Sequence, residues 1–363
     1  MSGLVVVAMS GGVDSSVAAA LLQQQGYQVI GITLNLWPRV SAVESDNTRR
    51  TVCCSLESVE DARQVADLLG FPHYTLNFRD LFDRTVVQNF LAEYQRGRTP
   101  NPCIRCNRFI KFDALLAKAR ALGADAIATG HYARITRTGS GRWSLLKARD
   151  GSKDQSYALY SLTQEQLSST LFPLGQLEKR ETRQMAEDLG LATARKPESQ
   201  ELCFVPDDDY SGFIRQKAPE AVRTGPIVNR SGDVLGTHQG VAFYTIGQRK
   251  GLGMSAGRPL YVVDLLPESN TVVVGEGDEL LSLSLVAEDV NWVSMDPPGG
   301  AVEVEAKIRY RSVPVPARAS VREDGTLAVE FAEPQRAVTP GQAVVVYQGD
   351  AVVAGGTIRA AES

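Results

Sequence analysis

The run Leu4-Val5-Val6-Val7-Ala8-Met9, followed at once by Ser10-Gly11-Gly12-Val13-Asp14-Ser15-Ser16, decides the fold. The first six residues are continuously apolar, as a strand covered on both faces by helices requires. The two glycines let the backbone turn sharply and approach a ligand with no Cβ in the way. From Val13 the pattern becomes helical, with Val17, Ala20, Leu21 and Leu22 on the inward face and Gly26 as the stop. A helix that begins straight after such a loop turns its unpaired N–H groups and the positive end of its dipole toward the loop, so an anion fits there. Ser10 and Ser15 add hydroxyl donors, and Asp14 can help to hold a Mg²⁺ that travels with a nucleotide.

Outward from this loop the alternation continues. Tyr27–Leu36, His73–Asn77 and Ala124–Thr129 read as strands. Glu57–Leu69, Leu81–Tyr94 and Ile110–Leu122 read as helices, with Gly70 and Gly123 ending the first and last of them. Strands alternating with helices predict an α/β fold with a parallel, Rossmann-like sheet. Gln164–Leu171 and Arg180–Leu189 predict a helical extension. From about residue 222 short alternating runs take over, separated by turns such as Glu323-Asp324-Gly325. These predict a small β-rich central domain and a C-terminal antiparallel β-barrel. The expected division is 1–205, 206–280 and 281–363.

The 363 residues suit two or three domains at about 150 residues each. With 43% hydrophobic and 22% charged residues the chain is an ordinary globular one. Its net charge of -4 excludes a uniformly basic coat for nucleic acid but not a basic face. The charge is uneven, net +3 over residues 1–205 and -7 over the rest. Two stretches are basic: Arg96, Arg98, Arg105, Arg108 and Lys111, then Arg134, Arg137, Arg142, Lys147, Arg149 and Lys153. Each alone reads as a solvated face. No apolar run nears the roughly 20 residues of a membrane span, and the N-terminus lacks a basic n-region. Five cysteines are too few and odd in number for a secreted disulfide framework. The expectation is a cytoplasmic enzyme.

Three of these cysteines bear on chemistry. Cys103 and Cys106 form a C-x-x-C in the proline-stiffened, basic stretch Thr99–Asn107, read as a loop. Nearby guanidinium groups favour thiolate there. Cys203 lies far away between Leu202 and Phe204. One reading is a pair of catalytic thiols drawn from these separate loops. Alternatively Cys103, Cys106 and Cys203 hold three corners of an iron–sulfur cluster or a zinc, or Cys203 is plain core. Cys53 and Cys54 read as structural.

The Ser10–Ser15 loop is no Walker loop, and Gly251–Gly257 only approaches the dinucleotide fingerprint. The loop resembles that of the N-type ATP pyrophosphatases, which implies adenylation rather than γ-phosphoryl transfer. Further segments align with one family of that superfamily: Arg98–Pro102, Cys106-Asn107, Ile110–Phe112, Ala128–Ala133, Lys153–Tyr157, Cys203-Phe204, Thr245–Gly253, Arg309–Arg311 and Thr339–Gln342. In this order they resemble the tRNA-specific 2-thiouridylase (MnmA) family over nearly the whole chain. The resemblance implies ATP-dependent 2-thiolation of the wobble uridine in tRNAs for Lys, Glu and Gln. It implies a cysteine persulfide as sulfur carrier, fed by a relay from a cysteine desulfurase.

The resemblance assigns Cys106 and Cys203 as the catalytic thiols. It puts ATP at Ala8, Met9, Ser10, Gly11, Gly12, Val13, Asp14, Ser15, Leu34 and Gly130. It puts tRNA at Asn101, Pro102, Cys103, His131, Lys153, Asp154, Gln155, Arg309, Tyr310 and Gln342. Where the family pattern has an Asp three residues before the catalytic cysteine, this chain has Cys103, which strengthens the cluster alternative. A basic segment such as 96–111 is expected to order only against RNA. Two other readings compete: a small-molecule ligase on the same nucleotide domain, and an RNA-binding or iron–sulfur protein without turnover.

Overall fold

The computed structural model describes residues 3–36, 56–197, 202–205, 209–253 and 257–362. Cys53 and Cys54 lie outside the described residues. Two compact units emerge: Met1–Val86, Cys103–Val205 and Asp350–Val352 form the first, and Val87–Pro102, Pro206–Gly349 and Val353–Ser363 the second.

In the first unit β1 (Leu4–Ala8), β2 (Gln28–Asn35), β3 (His73–Asn77) and β4 (Ala126–Ala128) lie in a five-stranded sheet. After these come a hairpin, β5 (Arg134–Arg137) and β6 (Trp143–Leu146), and then β7 (Thr170–Leu171), the fifth strand of that sheet. The order is β3-β2-β1-β4-β7, with every neighbouring pair parallel. The decisive strand β1 is therefore central, which is why Val5, Val6 and Val7 are apolar without alternation. Helix α1 (Val13–Gln24) buries Val13, Ser15, Ser16, Val17, Ala18, Ala19, Ala20 and Leu22. So broad a buried face fits a helix held between the sheet and the Lys179–Asp188 helix, and its run of alanines keeps the spacing short. Helix α2 (Leu56–Leu69) adds Ala62, Val65 and Ala66 to the same core.

The structure departs from the expected elements in three places. The stretch Gln164–Leu171 is helical only over Gln164–Ser168, and Thr170–Leu171 is an edge strand. The reading of Thr99–Asn107 as a loop is overturned, because Pro102–Arg105 is α-helical. The helix runs on through π-turns over Cys106–Ala114 into Leu115–Ala121. Proline at the first helical position has its φ preset and needs no N–H acceptor, so Pro102 starts this helix rather than marking a loop. The expectation that 96–111 orders only against RNA fails for the same reason: Cys106, Asn107, Ile110 and Phe112 are buried.

The second unit holds a four-stranded sheet and a barrel. The sheet contains β8 (Gly225–Val228), β9 (Val234–His238), β10 (Tyr261–Leu266) and β11 (Thr271–Gly275), in the order β10-β11-β8-β9. The barrel runs from β12 (Leu281–Trp292) through β13 (Val302–Lys307), β14 (Val315–Val321), β15 (Leu327–Arg336) and β16 (Ala343–Gln348) to β17 (Ala351–Glu362). Its order is β12-β15-β14-β13-β16-β17, and an antiparallel β12–β17 pairing closes it. Closure leaves no free edge, and Leu285, Val304, Ala319, Val329, Val344 and Ile358 fill the interior.

The segment ahead of Pro102 is tied down within this second unit. Thr99 donates its N–H to the Pro340 carbonyl at 2.8 Å. The Gln342 side chain donates to the Thr99 carbonyl at 2.9 Å and toward that of Pro100 at 3.4 Å. Arg98 pairs with Glu288 at 2.7 Å and Glu93 at 2.8 Å. Among the described residues, no helix is long and apolar enough to cross a membrane.

Candidate active site

The Ser10–Ser15 loop is packed closely on one side. Gly11 has a φ of +67°, and a Cβ there would lie 2.1 Å from the Ser58 carbonyl oxygen of α2. A Cβ on Gly130, just after β4, would lie 2.6 Å from the Ser15 nitrogen. Both glycines let backbone meet backbone. At Gly12 a Cβ would meet only the Ser10 Oγ, at 3.4 Å, so this side of the loop is clear. Ser15 Oγ accepts from the Ser10 N–H at 3.2 Å and donates to the Gly12 carbonyl at 3.1 Å. Ser16 Oγ donates to the same carbonyl at 2.9 Å. No side chain caps the start of α1, which leaves its first N–H groups to a ligand. Ala8 and Met9 lead into the loop, and Leu34 stands on the neighbouring strand, buried. The N–H groups and hydroxyls of the Ser10–Ser15 loop are chemically suited to a polyphosphate anion.

Asp14 does not fit the magnesium role. Both its carboxylate oxygens accept from the Lys179 ammonium, at 2.7 and 2.8 Å. The Tyr132 hydroxyl donates to it at 2.9 Å and lies equally close to the Thr182 hydroxyl. The Lys179 nitrogen also sits 5.6 Å from the centre of the Tyr132 ring. A cluster is not fitted either. Among the described residues no three His, Cys, Asp or Glu side chains form a group that could hold a metal, so Cys103, Cys106 and Cys203 are not gathered as ligands.

The three thiols differ in exposure: Cys103 is exposed, Cys106 buried and Cys203 half-buried. Cys103 and Cys106 are three residues apart on one helix and so share a face. Cys106 begins the π-turn segment, a geometry common at functional sites. The Asn107 amide anchors that segment by donating to the Ala158 carbonyl at 3.0 Å, and Arg105 donates to the Thr85 carbonyl at 2.9 Å. Phe204, next to Cys203, meets Phe82 edge-on at 5.7 Å. The short helix Arg79–Phe82 also packs against the Cys106–Ala114 segment.

Several residues expected at tRNA are engaged with the protein itself. Asp154 accepts from the N–H groups of Ala148 and Ser156 and from the Ser156 hydroxyl. The Gln155 side chain accepts from the Tyr132 N–H at 2.9 Å. The Lys153 N–H donates to the Asp150 carbonyl in the preceding turn. Together this loop supports Tyr132, and through it Asp14. Arg309 caps the Arg336 and Ala337 carbonyls, while Tyr310 is exposed. Asn101 and Pro102 stand at the start of the Cys106 helix. The basic stretches are partly spent as well: Arg134 pairs with Asp350, and Arg149 lies near Glu178 and Glu181. Lys179 and Tyr132 are the site residues that the sequence reading missed. Tyr132 lay within an aligned segment, but nothing local marks Lys179.

His131 lies between Phe112 and Phe172 with its Nδ1 2.7 Å from the Thr129 hydroxyl. Burial holds its pKa well below the ordinary value, and Lys111 adds to this. Burial also lowers His73 and His238, the other two histidines of the chain. Below pH 6.5 the unfolded chain binds protons that the folded protein refuses, so stability is lost as pH falls through that value. The melting temperature at pH 5.5 is expected below that at pH 7.5 by scanning fluorimetry. His131→Gln, which removes one of the three depressed groups, should narrow the gap.

Comparison with known proteins spans the whole chain. The family model described as the tRNA methyl transferase HUP domain matches residues 3–207. The PRC-barrel domain of the same name matches 211–276, and the aminomethyltransferase beta-barrel domain matches 282–358. The tRNA-specific 2-thiouridylase MnmA of Heliobacterium modesticaldum is 55% identical over 361 residues, covering 99% of this chain and 93% of that protein. Those of Carboxydothermus hydrogenoformans and Moorella thermoacetica are 52% and 55% identical. Each covers 98% of this chain, and 97% and 99% of their own lengths are matched.

Proposed function

This chain belongs to the tRNA-specific 2-thiouridylase family, and on that premise we propose how its residues divide the work. The reaction is ATP-dependent replacement of the uridine C2 oxygen by sulfur in tRNA. A urea-type oxygen leaves poorly, and joined to AMP it leaves readily. The loop from Ser10 to Ser15 binds the ATP phosphates, with Gly130 behind it and Leu34 beside it. Cys203 carries the persulfide. Cys106 attacks the inner sulfur of that persulfide, which forms a Cys106–Cys203 disulfide and frees the outer sulfur as sulfide for C2. An external dithiol then supplies two electrons to reopen the disulfide.

The substrate base is the wobble uridine, splayed out of the anticodon stack toward Asn101, Pro102 and Cys103. Lys153 and His131 in the first unit and, separately, Tyr310 and Arg309 in the second are assigned to tRNA, while Asp154, Gln155 and Gln342 act by shaping backbone. The sulfur comes from a cysteine-desulfurase relay, and the setting is the cytoplasm. The 1–205, 206–280 and 281–363 segments serve as catalytic, central and barrel domains.

The observation that supports this division is that the Arg79–Phe82 turn packs against both thiol-bearing segments, through Phe204 on one side and the Cys106 helix on the other. The test is turnover with purified protein, ATP, a persulfide donor and unmodified tRNA for Lys. The expected products are 2-thiouridine, AMP and diphosphate. Diphosphate release driven by a small acid without tRNA would replace this reading with the ligase.

A further inference from the structure

Asp14 is an acid at the mouth of a site that must accept a polyanion. Left alone, its carboxylate stands in the first turn of α1, where the triphosphate is expected, and repels it. The structure shows how that charge is handled. The Lys179 side chain is nearly buried and its ammonium chelates both Asp14 oxygens. Tyr132 braces the pair, with its hydroxyl on Asp14 and its ring face near the ammonium. Lys179 is itself fixed, because its N–H donates to the Asp150 carboxylate at 3.0 Å and it opens a helix with a capping box between Glu178 and Glu181. That helix packs along α1, so the ammonium has a rigid platform.

We propose that Lys179 is a positioning residue for the nucleotide: it cancels the Asp14 charge and pins the first turn of α1, so that Asp14 serves as its partner and not as a magnesium ligand. The inference rests on the ATP reading of the loop. It makes opposite demands from a metal role. If Asp14 held magnesium, removing its charge would weaken nucleotide binding under all circumstances. If Lys179 exists to cancel that charge, removing both together is milder than removing Lys179 alone.

The experiment measures the Kd of α,β-methylene-ATP by calorimetry, in excess Mg²⁺, for the wild type, Lys179→Met, Lys179→Arg and Lys179→Met with Asp14→Asn. Lys179→Met is expected to weaken binding about tenfold or more, and the loss should shrink between 50 and 500 mM KCl because salt screens the exposed repulsion. The double variant should recover most of the loss, and Lys179→Arg should bind within a few-fold of wild type. A merely structural lysine would give a loss that salt does not change. A double variant as weak as Lys179→Met, or weaker, overturns the proposal and returns Asp14 to the ligand's side. Wild-type protein that fails to bind the analogue removes the nucleotide reading itself. Should Lys179→Met not fold, the single Asp14→Asn variant decides: binding within a few-fold of wild type supports the clamp, and a tenfold loss overturns it.

Discussion

Cys106→Ser and Cys203→Ser are each expected to lower 2-thiouridine formation by about 10³-fold or more, the scale of losing a covalent participant. One sulfur must arrive on a carrier and a second must attack it, so neither thiol can stand in for the other. The two losses should therefore not multiply, and the double variant should be about as inactive as either single one. Nucleotide affinity should persist in each, because the proposed phosphate loop, Ser10–Ser15, contains neither thiol. Cys106→Ala is the safer partner variant, since the site is buried and a serine hydroxyl there would need a hydrogen-bond acceptor. The exposed Cys103 should react with iodoacetamide before buried Cys106 does, as read by peptide mass spectrometry. Full thiolation by Cys203→Ser with a persulfide donor would remove the relay.

Gly11→Ala is expected to be among the most damaging single substitutions in the first unit. A left-handed backbone costs a non-glycine residue about 1–2 kcal/mol. The added methyl would also lie 2.1 Å from the Ser58 carbonyl oxygen, so α2 or the loop must move. Overpacking of this kind costs about 1–3 kcal/mol more. Gly123→Ala is the control: its φ is +79°, and nothing lies within 4 Å of the new methyl. It should show the conformational penalty alone. Gly130→Ala has the converse problem, with no positive φ but a Cβ 2.6 Å from the Ser15 nitrogen. It should displace the first turn of α1 and weaken α,β-methylene-ATP binding more than its effect on melting temperature suggests. Equal melting temperatures for Gly11→Ala and Gly123→Ala would show that the approach of Ser58 does not constrain the loop.

The strand, the loop and α1 were legible because each is a local pattern: an unbroken apolar run, two glycines, then a helical period. The barrel was legible as spaced alternation, although its long first strand, Leu281–Trp292, was not singled out. The Cys106 helix was misread because Thr99-Pro100-Asn101-Pro102 carries turn-forming residues, and turn propensity says nothing about what covers a segment. Packing on the Arg79–Phe82 helix, together with the Asn107 anchor, orders it.

The basic stretch 96–111 was misread for a related reason. It contains no acid of its own, yet Arg98 is paired with Glu93, which lies just outside it, and with Glu288, 190 residues away. The sequence alone settled the glycine turn between the first strand and helix, the parallel sheet implied by alternating elements, and which thiols are candidates, since these follow from residue type and short-range spacing. The fold decided which charges are spent and which remain for a ligand. Lys179 and Asp14 stand 165 residues apart, and only the packing of their two helices brings an ammonium onto that carboxylate. An ion pair across elements depends on where helices land, and periodicity within each helix carries no record of its partner.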